Sequence, residues 1–359
     1  VDLTILNNTS IPDTDNPEMS NNAAAEILER VGAVSGLFVG RSIAAGSHGT
    51  VFTCCVTRLG KDGRLRYVSG TGAALKVVRK DHIRNHSLRK EIRREVEFMR
   101  DLGTHPNIVR MFSSFEDSRH VYLLEERCQM DLFSWTRHLK RPATPTEVSK
   151  IVAGIASALS HCHENGVIHG DVKLENVLMT PPPAGSALGD IKLTDFGWAI
   201  REEAADAGTG GTPEYSSPEV VRQKKGAYTP AIDMWALGVI VYELLYFHTP
   251  FHHANRAETK RCIGKVQWSF PPDSRDRPRC AGADDLISRL LVPDPETRLT
   301  ADEVLSEPFV VMGVFVPVVI SPPAKLTTTA LAPDVEYVEF EEEEEDYTMD
   351  EDNYDPMEQ

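Results

Sequence analysis

The chain has 359 residues, 41% of them hydrophobic and 26% charged. That is an ordinary balance for a soluble globular protein, with enough length for two lobes with buried cores. The formal charge of −16 is unevenly placed: fourteen acids and no Lys or Arg fall in residues 334–359, so the remainder is close to neutral and offers no net basic surface for direct contact with nucleic acid. Six cysteines without a CxxC spacing exclude a disulfide framework and a Cys-based zinc site, and read as reduced thiols of a cytoplasmic or nuclear protein.

Residues 1–37, rich in Asn, Asp, Ser and Ala, read as an extension with one helix near 23–30 and without the basic-then-apolar order of a secretory signal. Short β-like runs follow: strands are expected over 51–57 and 73–78, joined by a hairpin connection over 59–72 that contains Lys61-Asp62-Gly63. Leu88, Ile92, Val96 and Met99 share one face of a helix predicted over 86–100, and two more strands are expected over 108–115 and 120–124. Beyond residue 130 helical patterns take over. Thr144-Pro145-Thr146-Glu147 carries the signature of a capped helix start, and Val148, Ile151, Val152, Ile155, Leu159 and Cys162 then recur at helical spacing. Pro181-Pro182-Pro183 marks a loop between two short strands, and residues 231–245 are apolar almost all round, as in a core helix. The run over 310–320 is too short and too broken by Pro317 to cross a membrane. The acidic tail, with Tyr337, Phe340 and Tyr347 among its Glu and Asp, is expected to be disordered from about 334, either as a solvated extension or as a docking arm for a basic partner.

The chemistry concentrates in His169-Gly170-Asp171-Val172-Lys173-Leu174-Glu175-Asn176 and, nineteen positions after Asn176, Asp195-Phe196-Gly197. One Asp can accept a hydroxyl proton, while the Asn five residues on and the second Asp can hold metal ions. Phosphoryl transfer asks little more of a protein than positioning and charge neutralisation. Upstream lie Ala44-Ala45-Gly46-Ser47-His48-Gly49-Thr50-Val51 and then Ala74-Leu75-Lys76.

This order resembles the protein kinase family. The resemblance implies an α+β, two-lobed fold over 38–310, with an N-lobe antiparallel sheet and one helix (38–127), a mainly α-helical C-lobe (128–310) and a tail over 311–359. It implies ATP and Mg²⁺ as cofactors. Asp171, Lys173, Lys76 and Glu95 are the implied catalytic residues, with Asn176 and Asp195 as metal ligands. The nucleotide would also meet Ala44, Gly46, Ser47, Gly49, Val51, Ala74, Glu126 and Glu175. Lys173 and the Gly211-Thr212-Pro213-Glu214-Tyr215 segment are similar to Ser/Thr rather than tyrosine kinases, with Glu219 expected to pair with Arg298 and Asp233 to brace the catalytic loop. Trp198, Arg93-Arg94-Glu95-Val96-Glu97, His105-Pro106-Asn107-Ile108 and Ala283-Asp284-Asp285-Leu286 narrow the likeness to the Aurora kinases.

Two positions depart from the family pattern. Ala44 replaces the first Gly of the phosphate-covering loop, and Gly170 replaces an Arg that commonly receives the activation-segment phosphate. With Glu202, Glu203 and Asp206 in that segment, activity is expected to depend little on its phosphorylation at Thr209. Asp131, Glu175 and Glu243 fall where basophilic kinases place acids, so the expected substrates are proteins with basic residues near the target hydroxyl. The competing readings are a pseudokinase scaffold that recruits partners through the tail, and a small-molecule phosphotransferase.

Overall fold

A computed structural model describes residues 37–46, 49–59, 65–80, 86–139, 141–183, 186–203, 212–272 and 280–314. The expected extension with its helix at 23–30, the Lys61-Asp62-Gly63 turn, Ser47, Asp206, Thr209, Gly211 and everything beyond 314, including the acidic tail, lie outside the described residues.

Five antiparallel strands form the first sheet: β1 (Leu37–Gly46), β2 (Gly49–Leu59), β3 (Leu65–Arg79), β4 (Met111–Glu116) and β5 (His120–Glu126), in the order β1-β2-β3-β5-β4. Side chains alternate across a strand, so each strand feeds two faces. On one face Phe52, Cys54, Ala73, Leu75, Val77, Tyr122 and Leu124 pack together. On the other, Val78, Val121 and Leu123 meet Ile92 and Val96 of α1 (His86–Asp101), the helix its apolar stripe foretold.

Two expectations need correcting here. The ladder between β2 and β3 runs on through Thr57↔Tyr67, Arg58↔Arg66 and Leu59↔Leu65, where a connection over 59–72 was expected. Tyr67 and Val68 favour a pleated surface, and the ladder is interrupted only by an irregularity between the Cys55↔Gly72 and Thr57↔Tyr67 pairs. Likewise β4 begins only at Met111. Ile108 instead bridges Leu193 in parallel, and both residues are buried in the core of the helical lobe. Two backbone bonds, Val109 N to Leu193 O and Leu193 N to Asn107 O, secure that stitch.

The helical lobe is built on α3 (Pro145–Glu164), which follows β6 (Met130–Asp131) and α2 (Leu132–Leu139). Thr144 and Glu147 exchange both bonds of a capping box, and Arg141 clamps Glu147 at 2.8 Å. Val148, Ile151, Val152, Ile155, Leu159 and Cys162 are all buried. Each such aliphatic side chain contributes about 1.5–3 kcal/mol by leaving water. Against α3 packs α5 (Ala231–Tyr246), buried on nearly every side, with α7 (Ala281–Leu290) behind it. The short α4 (Pro218–Val221), α6 (Arg256–Lys265), α8 (Ala301–Ser306) and α9 (Pro308–Val314) complete the lobe. Packed on the core of the helical lobe lie β7 (Val167–Ile168), paired with β10 (Ile200–Arg201), and a three-stranded sheet in the order β6-β8-β9, with β8 (Val177–Met179) and β9 (Ile191–Leu193). This is the two-lobed α+β architecture that the sequence implies. No helix among the described residues is long and apolar enough to cross a membrane.

Candidate active site

The roof of the cleft is the β1–β2 hairpin and the inner face of β3. Ala44 pairs with Val51 and Gly46 with Gly49, so the ladder reaches to the edge of the loop tip. Ala44 is exposed and has no left-handed backbone, so its Cβ is accommodated without strain. Gly49 is different. Its φ is +138°, and a Cβ there would lie 2.4 Å from the carbonyl oxygen of Val77, so only glycine lets β2 approach β3 at this point. Val51 is opposite Lys76, and Ala74 is opposite both Thr53 and Glu125.

Lys76 Nζ lies 2.6 Å and 2.8 Å from the two carboxylate oxygens of Glu95, which is 3% exposed. The Ile92 and Val96 stripe packs α1 onto the sheet and points Glu95 at β3. Burial opposes the charge on Lys76, but Glu95, Asp195 and Glu125 outweigh it and hold the ammonium above its ordinary value.

The floor is the loop after β7. Asp233 of α5, 1% exposed, accepts from the backbone N–H groups of His169 and Gly170 at 2.9 Å each and contacts His163 Nε2 at 2.9 Å. Asp171 accepts from Lys173 Nζ at 2.5 Å and Asn176 Nδ2 at 3.1 Å through one oxygen, and from the Thr212 N–H and hydroxyl at 2.9 and 2.8 Å through the other. Lys173 also donates to Thr212 Oγ1 at 3.0 Å. Gly170 has φ +75°, and a Cβ would sit 3.0 Å from Trp198 O. Glycine here fits a left-handed turn pinned by Asp233, so the loop is anchored rather than loosened.

Asp195 takes a left-handed φ of 66°, a strained conformation of the kind that collects at functional sites. Behind it Phe196 is fully buried against His169, 4.9 Å between ring centroids. Asn176 spends its amide N–H on the carbonyl and carboxylate of Asp171, which leaves its amide oxygen for a cation. Among the described residues no group of three or more His, Cys, Asp or Glu converges to hold a metal. An amide oxygen and a carboxylate suit Mg²⁺, which keeps several waters and takes further oxygens from phosphates. The donor set therefore fits Mg-ATP: cationic Lys76 for phosphate, Asn176 and Asp195 for metal.

The remaining expected residues scatter more. Glu126 turns its carboxylate to Lys192 at 2.8 Å and accepts from the Arg110 N–H, so its side chain is engaged away from Lys76. Glu175 is exposed in the 3₁₀ turn Leu174–Asn176 and acts electrostatically on Tyr215 and Glu243. Tyr215 donates to Glu243, whose carboxyl is held above its ordinary value by burial and by Glu175. Asp131 instead caps α2, accepting from Ser134 N at 2.6 Å and Ser134 Oγ at 2.8 Å. The structure thus brings Glu175 and Glu243 together, and Asp131 serves a helix end. Glu125, which the sequence did not single out, is buried in the roof.

A family model described as protein kinase domain matches residues 39–310. Aurora kinase C of Mus musculus is 35% identical over 275 residues, covering 76% of this chain and 90% of the relative. The chain is an Aurora-like member of the protein kinase family. Serine/threonine-protein kinase Aurora-1 of Arabidopsis thaliana is 32% identical over 82% of the chain and 92% of its own length. The Aurora kinase of Schizosaccharomyces pombe is 34% identical over 77% and 72% respectively. This kinase is accordingly a protein serine/threonine kinase. The expected pairing of Glu219 is present: Arg298, fully buried, pairs with Glu219 at 2.8 Å, donates to Ala231 O at 2.6 Å and lies over the Trp235 ring.

Proposed function

We propose that this kinase transfers the ATP γ-phosphoryl group to Ser or Thr hydroxyls near basic residues of protein substrates, and that it does so with little dependence on activation-segment phosphorylation. The observation that carries this reading is the direct latch between catalytic loop and peptide-binding segment. Thr212 is bonded to Asp171 through both its N–H and its hydroxyl, and to Lys173. The segment is held where a peptide would lie by hydrogen bonds of its own, while Gly170 provides no guanidinium for a phosphate to grip.

Mg-ATP, when bound, supplies the transferable phosphoryl group and the cations that offset its charge. Lys76, steadied by Glu95, would orient the phosphates, and Asn176 and Asp195 would hold the metal. Asp171 orients the substrate hydroxyl and accepts its proton, and Lys173 offsets charge on the transferred group. The hairpin residues Ala44, Gly46, Ser47, Gly49 and Val51, with Ala74, cover the nucleotide. Glu175 and Glu243, two acids within mutual electrostatic range beside the peptide-binding Tyr215, favour a cationic substrate side chain. We take 38–310 as the catalytic domain, and the acidic tail as an arm suited to a basic partner.

The test is phosphate transfer from Mg-ATP to a Ser peptide with Arg two and three positions upstream, beside an Ala-substituted peptide. Thr209→Ala is expected to keep activity, and Asp171→Asn to lose it. Loss of activity in Thr209→Ala, or equal use of both peptides, would contradict the corresponding half of the reading.

A further inference from the structure

One buried group in the roof is used by none of the catalytic contacts. Glu125 stands opposite Ala74 in the β3–β5 register. By strand alternation it shares the face of Ala74 and Lys76, since Tyr122 and Leu124 go to the opposite apolar cluster. At the far end of the same face, Val78, Val121 and Leu123 are sealed by α1. Glu125 therefore sits on the cleft side, next to the nucleotide-covering Ala74. It is 7% exposed, and its Oε1 has no hydrogen-bond partner among the described residues.

The obvious partners are engaged elsewhere. Lys76 is chelated by both oxygens of Glu95. The neighbouring Glu126 carries its own charge to Lys192. The Glu125 carboxyl is pushed up to about 8, by burial first, with Lys76 opposing and Glu95 and Asp195 adding to the rise. Protonated or not, a carboxyl group keeps an oxygen that accepts. A buried acceptor without a donor is unfavourable, and it persists where a ligand brings the donor.

The cleft occupant, on the nucleotide-binding reading above, is a purine, and adenine carries a two-proton donor in its exocyclic 6-amino group. We infer that Glu125 is a base-selecting residue of this kinase: its free carboxyl oxygen accepts a hydrogen bond from the 6-amino group of adenine. A purine with hydrogen at that position leaves the oxygen unmet, and a site built around such a bond discriminates against the ligand that lacks it.

The experiment compares calorimetric dissociation constants of adenosine and of purine riboside, which has hydrogen in place of the 6-amino group, on the full chain as wild type, Glu125→Leu and Glu125→Gln. Any contact of the 6-amino group with backbone is common to the proteins and cancels in the ratio. The adenosine preference of the wild type should exceed that of Glu125→Leu by about tenfold. Glu125→Gln, whose amide oxygen still accepts, should keep most of it and also serves should the Leu variant fail to fold. An unchanged preference in both variants overturns the proposal while leaving the nucleotide cleft in place. Absence of binding of either nucleoside to the wild type overturns the cleft reading, and the proposal with it.

Discussion

In the floor of the cleft, two carboxylates are surrounded by donors: Asp233 of α5 by two backbone N–H groups of the catalytic loop and His163, and Asp171 of that loop by Lys173, Asn176 and Thr212. At the roof, by contrast, one ammonium, Lys76, is acted on by three carboxyl groups, those of Glu95, Glu125 and, from below, Asp195, and Glu95 holds both of its short contacts. The floor is preorganised by the chain itself, from α5 outward. Around Lys76 the acids outnumber the ammonium, and Glu125 Oε1 has no donor among the described residues. On the proposed function, positioning of the hydroxyl is thus built in, while a metal cation is drawn to the side where acids gather.

Removing the brace of the floor should have the largest effect. Asp233→Ala strands two N–H groups in a site that is nearly closed to water, and should lower unfolding free energy by about 3–5 kcal/mol, measured by denaturant titration. A smaller loss would mean that the floor does not depend on α5. Lys76→Met leaves the roof with acids alone, and should reduce phosphotransfer by about 10²-fold or more while nucleoside binding persists.

Glu125→Leu should act in the opposite direction, adding about 1–3 kcal/mol of stability, since a buried acid without a full set of partners is often improved upon by a well-packed apolar side chain. The sign with pH follows from its raised value. Between the ordinary carboxyl value of 4.5 and about 8, the folded protein holds a proton that the unfolded chain has released. Wild-type stability from this group therefore falls as pH rises through that window and levels off above it. The advantage of Glu125→Leu should be small near pH 5 and greatest at pH 8.5, as read from paired melting curves. The smallest effect is expected at Arg201, which pairs with Asp101 and lies over the Phe98 ring at the surface. Arg201→Ala should change stability by no more than about 1 kcal/mol, less at high salt.

The floor was legible in the sequence because its parts are neighbours. Asp171, Lys173 and Asn176 fall within six residues, and the Thr144–Glu147 cap and the α3 stripe obey local rules that tertiary contacts had no reason to override. The roof was legible only where a motif named it. Glu125 and Glu126 are chemically identical neighbours that point to opposite faces, and composition alone does not tell which one enters the cleft. Asp131 misled for a related reason: a carboxylate one residue before a helix can serve as a cap or line a groove, and the backbone of α2 claimed it. The whole of 59–72 was read as a connection because an irregularity inside a long hairpin leaves much the same signature as its tip.

α5, which supplies Asp233, has almost no solvated face: Ile232 through Tyr242 are all buried, as are Leu244, Leu245 and Tyr246. A helix of this kind gains nothing from standing alone in water, so its order arrives with that of its surroundings. The catalytic loop, hung from it by two hydrogen bonds, can then be set only when the whole helical lobe has closed. Until that moment a nascent chain exposes a sixteen-residue apolar segment, the sort of surface that chaperones recognise and that aggregates when they are absent.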